Sequence, residues 1–379
     1  MEPELQRAAD EQRPVSTEAA PASPQPAPWH ERDFDWVFIG PNGLRAGWAI
    51  LLFAGLYYLF REVVGTLFFA AGLIHDTSAD SAGAVLGSEF AAFLSLVPAA
   101  LIMILLEDRR VLSYNLGGPR RVGHFFSGLF AGFIAISLLV AGLALGGWMH
   151  VAPATLTAPE AVRLGALWIA VFLIVASVEE GLFRCYALST LTRGINFWWA
   201  LAAQIGLCCY LALDTGHNGA PGVYLAAAIG LFPCLILNQK LGARSAFWQA
   251  AWVTSTFFGF YHTSNTGENW IGVFAAAAIG FVFCVSVFVT GSVWWAVGCH
   301  TGWDWAETFI YGTADSGQQG QGHLFSAAPT GNPLWSGGSD GPEGSLLVVG
   351  AILLLLLVLA GFYGRNKSTA FTASSQPAG

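Results

Sequence analysis

The 379-residue chain is predicted to be all-α, a polytopic helical membrane protein of about ten transmembrane helices with both termini in the cytoplasm. Three observations lead there. Hydrophobic residues make up 55% of the chain and charged residues 11%, too apolar for a soluble domain of ordinary make-up. Apolar stretches of about 20 residues, enough to cross a hydrocarbon core of about 30 Å, recur along it. Lys and Arg concentrate in alternate connections, the positive-inside pattern. The formal charge of −8 comes partly from an acidic N-terminal tail, and no basic patch with interleaved aromatics occurs, so nucleic-acid binding is excluded.

Residues 1–43 are read as a disordered or juxtamembrane tail. They are rich in Pro, Ala, Glu and Gln, and no short apolar region follows a basic start, so no cleavable signal peptide is expected. A single transmembrane domain follows over 44–363. Its spans are placed at 44–74, 84–106, 123–147, 163–183 or beyond, 197–213, 221–238, 246–262, 270–290, 292–312 and 345–363. The first is overlong and carries Arg61 and Glu62, which implies tilt, a kink or extension past the surface. Arg109, Arg110, Arg120 and Arg121 fall in the second loop, Arg193 in the fourth, Lys240 and Arg244 in the sixth, and Arg365 and Lys367 in the tail 364–379. The odd-numbered loops hold almost no Lys or Arg. This argues for a multi-pass protein of the cell membrane.

The polar loop 313–344 is too long for a simple connection and is expected to fold over the outer face. Pro342 and Glu343 read as an ordinary start of the last helix. The six cysteines (Cys185, Cys208, Cys209, Cys234, Cys284, Cys299) lie in apolar segments without metal-ligand spacing and read as small core residues. Residues 197–234 align at a shift of fifty with 247–284, sharing Phe-Trp, Ala-Ala-Ala-Ile-Gly and a closing Cys. Duplication of a helix pair and chance likeness of Ala- and Gly-rich helices both account for this.

The candidate site consists of polar residues stranded in hydrocarbon, where a charge costs at least about 2.5–3.5 kcal/mol and marks function by default. Glu179 and Glu180 follow an apolar run on the fourth span. Glu180 and Arg184, four apart, share a helical face with the acid N-terminal to the base, the favourable order for a pair. Glu179 points about 100° away without a cation at that spacing, as suits a general base. His262 closes FFGFYH with Phe258 one turn before it, and His300 and Asp304 in HTGWDW again share a face. A buried ion-pair network that only locks helices together accounts for the first patch, and an interfacial anchor for a lone His262. Three spans each offering such a patch favour chemistry.

The ordered trio EEGLFR (179–184), FGFYH (258–262) and HTGWD (300–304) resembles the CPBP family, the CAAX-processing and bacteriocin-processing intramembrane endopeptidases. The likeness covers about 160–310, the expected catalytic core. It implies an intramembrane peptidase in which Glu179 activates water, His262 assists, His300 with residue 304 stabilises the oxyanion, and Glu180 and Arg184 hold the site together. The chain departs from the family in carrying Asp304 where many members have Asn, and in the long insertion between the first two motifs. Within that insertion DTGHNG (214–219) offers a competing match, but Leu213 stands where the motif asks for Phe, so His262 is preferred.

Metal involvement stays open. Glu179, His262, His300 and Asp304 would be the ligand set for a divalent metal such as zinc if one is bound. Two His four apart on one helix, the usual zinc-protease signature, are absent. The expected partners are the lipid bilayer and a membrane-associated peptide or protein substrate. An ion- or proton-coupled transporter and an idle peptide-binding immunity or scaffold protein are the rival functions.

Overall fold

The computed structural model describes residues 35–363 apart from 42, 75–80, 154–155 and most of 214–244. Residues 1–34 and 364–379, most of the sixth expected span, Cys234, Lys240, Arg244 and the DTGHNG segment lie outside the described residues. The described chain is mostly helical. Helices α1 (Ala46–Ala70), α2 (Ala82–Leu106), α3 (Arg121–Leu145), α4 (Ala158–Gly194) and α7 (Trp270–Thr290) are each long and apolar enough to cross a membrane, as an integral membrane protein requires. Between and after them come α5 (Phe197–Leu213), α6 (Ser245–Tyr261), α8 (Trp294–Trp305) and α9 (Val348–Tyr363). The first span is a 25-residue helix, shorter than its apolar stretch, and the fourth runs 37 residues, well past Phe183.

Local chemistry sets the element ends. Thr157 and Glu160 form a capping box at the start of α4, the Thr157 amide donating to Glu160 Oε2 at 2.9 Å. Asn269 caps α7, its side-chain oxygen accepting from the Ile271 and Gly272 amides. Gly291 ends α7 in the left-handed region (φ 72°), which lets the chain turn into α8 within three residues.

Helices α3 and α8 pack backbone to backbone. A Cβ at Gly128 would strike the Trp295 carbonyl and one at Gly132 the Cys299 carbonyl, while Gly298 and Gly302 meet the Phe125 and Leu129 carbonyls in return. Two small-xxx-small stripes thus face each other, the way membrane helices gain contact where water supplies no hydrophobic drive. Around them lies the main core, which includes Ile136, Leu143, Phe283 and Trp295.

The polar loop is ordered. Strand β1 (Met149–Pro153) pairs antiparallel with β2 (Phe325–Pro329), and Trp148 stacks on Trp335 with centroids 5.3 Å apart. Asn269 Nδ2 donates to the Gly337 and Gly344 carbonyls, fastening the loop to α7. Pro342 and Glu343 do not open α9, which begins at Val348. They form a separate 3-10 turn, Pro342–Gly344, because Ser345 resumes extended backbone before the helix.

Candidate active site

Helix α4 changes its winding where its charges begin. Gly181–Ala187 is a π-helical segment, a form common at functional sites because the extra residue per turn re-aims side chains. Asn115 Nδ2 donates to the Arg184 carbonyl at 2.6 Å, supplying a partner from outside the helix at the point where its regular ladder is disturbed.

Glu180 is fully buried, and its Oε1 accepts from Arg184 Nη1 and from His300 Nδ1, each at 3.2 Å. One carboxylate oxygen therefore ties α4 to α8. The Arg184 guanidinium, also fully buried, sits 4.2 Å from the Phe258 ring centroid and 5.4 Å from that of Phe283. Aromatic faces take up part of the solvation that its remaining N–H groups lack. Gly280 makes room for it, since a Cβ there would run into Nη2.

His300 presents Nε2 on the other side, 3.7 Å from Glu179 Oε2 and 3.4 Å from Asp304 Oδ2. His262 stands where α6 tightens into a 3-10 turn. Its Nδ1 lies 2.8 Å from the Phe258 carbonyl, and its ring meets Phe258 edge-on at 4.8 Å. A carbonyl can only accept, so Nδ1 carries the proton in this pair and Nε2 is left as an acceptor; the tautomer is assigned from the hydrogen bond.

Glu179, His262, His300 and Asp304 all line one cavity of ≈ 200 Å³. Helix α4 continues beyond Phe183 to Gly194, so Glu179 stands within the helix and not near its end. The cavity is also lined by Glu89 of α2 and by Asp315, Ser316, Gln318 and Glu343 of the polar loop, none of which the sequence singled out as site residues. For Glu89 a signal was present, a lone acid within the apolar helix Ala82–Leu106. The loop acids carry none, because nothing in a polar loop makes an acid conspicuous.

Beside the cavity, Glu268 and Asp340 form a second acidic pair against Gly272, where a Cβ would overlap both carboxylates. Burial, then the charges of Asp340 and Glu343, push Glu268 up to about 9. Burial likewise raises Asp340 to about 8, opposed by the Asn269 amide that donates to its Oδ2 at 3.0 Å.

The order of the motifs and this convergence point to one family. Residues 231–306 match the family model of the Rce1-like type II CAAX prenyl endopeptidases. The likeness read from the motifs is thus shown independently over the part of the chain that holds His262, His300 and Asp304. The Rce1-like match stops short of Glu179, Glu180 and Arg184, whose link to it is the contact of α4 with α8. No curated protein and no solved structure matches the chain.

Of the four residues named as metal ligands, His262 has Nδ1 on the Phe258 carbonyl and Nε2 free among the described residues, while His300 has Glu180 at Nδ1 and faces Glu179 and Asp304 with Nε2. A carbonyl or carboxylate on the other ring nitrogen is the usual setting of a metal-bound His. Among the described residues the group of three whose ligand atoms lie within 4.8 Å of one another is Glu307, Asp315 and Glu343.

Proposed function

We propose that the protein is an intramembrane endopeptidase that hydrolyses a peptide bond in a membrane-associated substrate, with a glutamate-activated water as nucleophile. The observation that carries this is the convergence of Glu179, His262, His300 and Asp304 on one cavity within a chain that matches the Rce1-like endopeptidases. The charge alternation of the loops supports ten spans with both termini cytoplasmic.

Glu179 has one oxygen, Oε2, buried and without a hydrogen-bond partner, beside His300. In the proposed step its carboxylate takes a proton from water as the water oxygen bonds to the substrate carbonyl carbon. The His262 Nε2 acceptor holds that water in line. His300, held through Nδ1 by Glu180, donates from Nε2 to the developing oxyanion. Asp304 Oδ2 faces that same nitrogen and orients the ring. The proton taken by Glu179 then passes to the leaving amine as the carbon–nitrogen bond breaks. No step needs the metal set, and none is routed through it.

The substrate class follows from place. A site walled by membrane helices and capped by the polar loop selects a segment delivered through or along the bilayer. The prenylated CAAX proteins on which the matched family acts are the first substrates to try. Purified protein should cleave a quenched prenylated peptide in detergent, Glu179→Ala should abolish the cleavage, and a zinc-selective chelator should leave it unchanged. Ion flux blocked by Glu179→Gln with no peptide ever cut would establish a transporter instead.

A further inference from the structure

We propose that Glu307, Asp315 and Glu343 form a binding site for a hard divalent cation, calcium by preference, which fastens the polar loop to the end of α8 beside the cavity. The three carboxylates each bring an oxygen within 4.8 Å of the others. Ca²⁺ accepts a flexible all-oxygen shell at about 2.3–2.6 Å, whereas Mg²⁺ demands near-octahedral geometry at about 2.0–2.1 Å and gives up its waters reluctantly. An oxygen-only ligand set without His or Cys argues against zinc.

Glu307 supplies the independent sign. Its side chain is fully buried, yet neither carboxylate oxygen has a hydrogen-bond partner among the described residues. Protonation of Glu307 on one oxygen would still leave the other buried oxygen without a donor. A cation satisfies both oxygens and offsets the repulsion among three acids. The winding of the chain presents Glu307 there, since α8 passes into a π-helical segment over Ala306–Tyr311. The other two ligands are steadied from the side. Thr308 Oγ1 donates to Asp315 Oδ2 at 3.2 Å and Ser316 Oγ to Glu343 Oε2 at 2.8 Å, which leaves each acid a second oxygen.

Asp315 and Glu343 lie near the two ends of the polar loop, and both line the cavity. A bound ion thus closes the loop into a ring over the site. The ion site requires no peptidase activity of the cavity.

The test uses the full chain in detergent, stripped with chelator and desalted, then titrated with CaCl₂ or MgCl₂ to about 10 mM while thermal unfolding is followed. A parallel titration follows Tb³⁺ luminescence sensitised by tryptophan. Calcium should raise the wild-type Tm by at least about 3 °C, saturably and at lower concentration than magnesium, and should displace terbium. Glu307→Gln should lose both responses while being at least as stable as the stripped wild type, because a buried charge has gone. If Glu307→Gln does not fold, Glu343→Gln on the loop gives the same comparison. A wild type that shows neither a Tm shift nor terbium luminescence, or variants that respond as the wild type does, would overturn the proposal.

Discussion

Each ring nitrogen of His300 faces a carboxylate, and the two sides of the ring have different duties. On the buried side Glu180 and Arg184 form an ion pair with no exposure, so removing one partner strands the other; Arg184→Met should cost about 3–5 kcal/mol, read as a fall in Tm. On the cavity side Glu179→Gln should leave Tm almost unchanged and slow cleavage by about 10²–10⁴-fold. Asp304→Asn keeps an oxygen to orient the ring and should stay within about tenfold of wild type, whereas Asp304→Ala should lose more. The pair Glu268 and Asp340 governs pH dependence. Their folded pKa values, about 9 and about 8, stand above ordinary carboxylates, so the folded state holds more protons than the unfolded one in between. Their stabilising contribution is full below about pH 4 and is lost as pH rises through 8 to 9. Tm should therefore fall between pH 6 and 9, and Asp340→Asn should flatten the fall. Glu179, Glu180, Arg184, His262, His300 and Asp304 were legible because charge is rare in hydrocarbon. Glu89 carried the same mark singly, and Glu307, three residues after Asp304, lies outside the HTGWD motif that drew notice.

At the scale of elements, the seam between α3 and α8 sets where α8 lies, since Gly298 and Gly302 meet the α3 backbone while His300, about 200° around the helix from Gly298, projects from the opposite side. Gly298→Ala drives a methyl into the Phe125 carbonyl. It should lower Tm by an amount equivalent to at least about 1–3 kcal/mol and reduce cleavage with it, whereas Gly55→Ala on α1, with open space at its Cβ, should do neither. Helix existence was legible from apolar length, and nine of the ten expected spans have a described helix in the expected place. The winding was not. The π segments at Gly181–Ala187 and Ala306–Tyr311 depend on contacts from elsewhere, such as Asn115 on the Arg184 carbonyl, which periodicity within one segment does not contain. The pairing of β1 with β2 joins strands more than 150 residues apart, for the same reason invisible locally. The first helix of the earlier repeat copy has 17 residues, like its counterpart α6, and of the second helix a π-helical turn over Ala227–Leu231 is described.

For the whole molecule, the charge alternation predicts that cysteines introduced at Arg110 and Arg193 label from the cytoplasmic face and those at Thr157 and Ser326 from the opposite one. Labelling of all four from one face would contradict the ten-span topology. The same arrangement brings α2, α4, α6 and α8 around one cavity with residues of the 313–344 loop in its wall, so that an acid, two imidazoles and a further carboxylate face one space. The most direct test of that claim is to incubate the reconstituted protein with a membrane-anchored peptide in H₂¹⁸O and weigh the products. Hydrolysis by activated water predicts two fragments, one ¹⁸O in the new C-terminal carboxylate, formed about 10²–10⁴-fold more slowly by Glu179→Gln. Intact peptide with the wild type, or the same labelled fragments formed at the wild-type rate by Glu179→Gln, would contradict it.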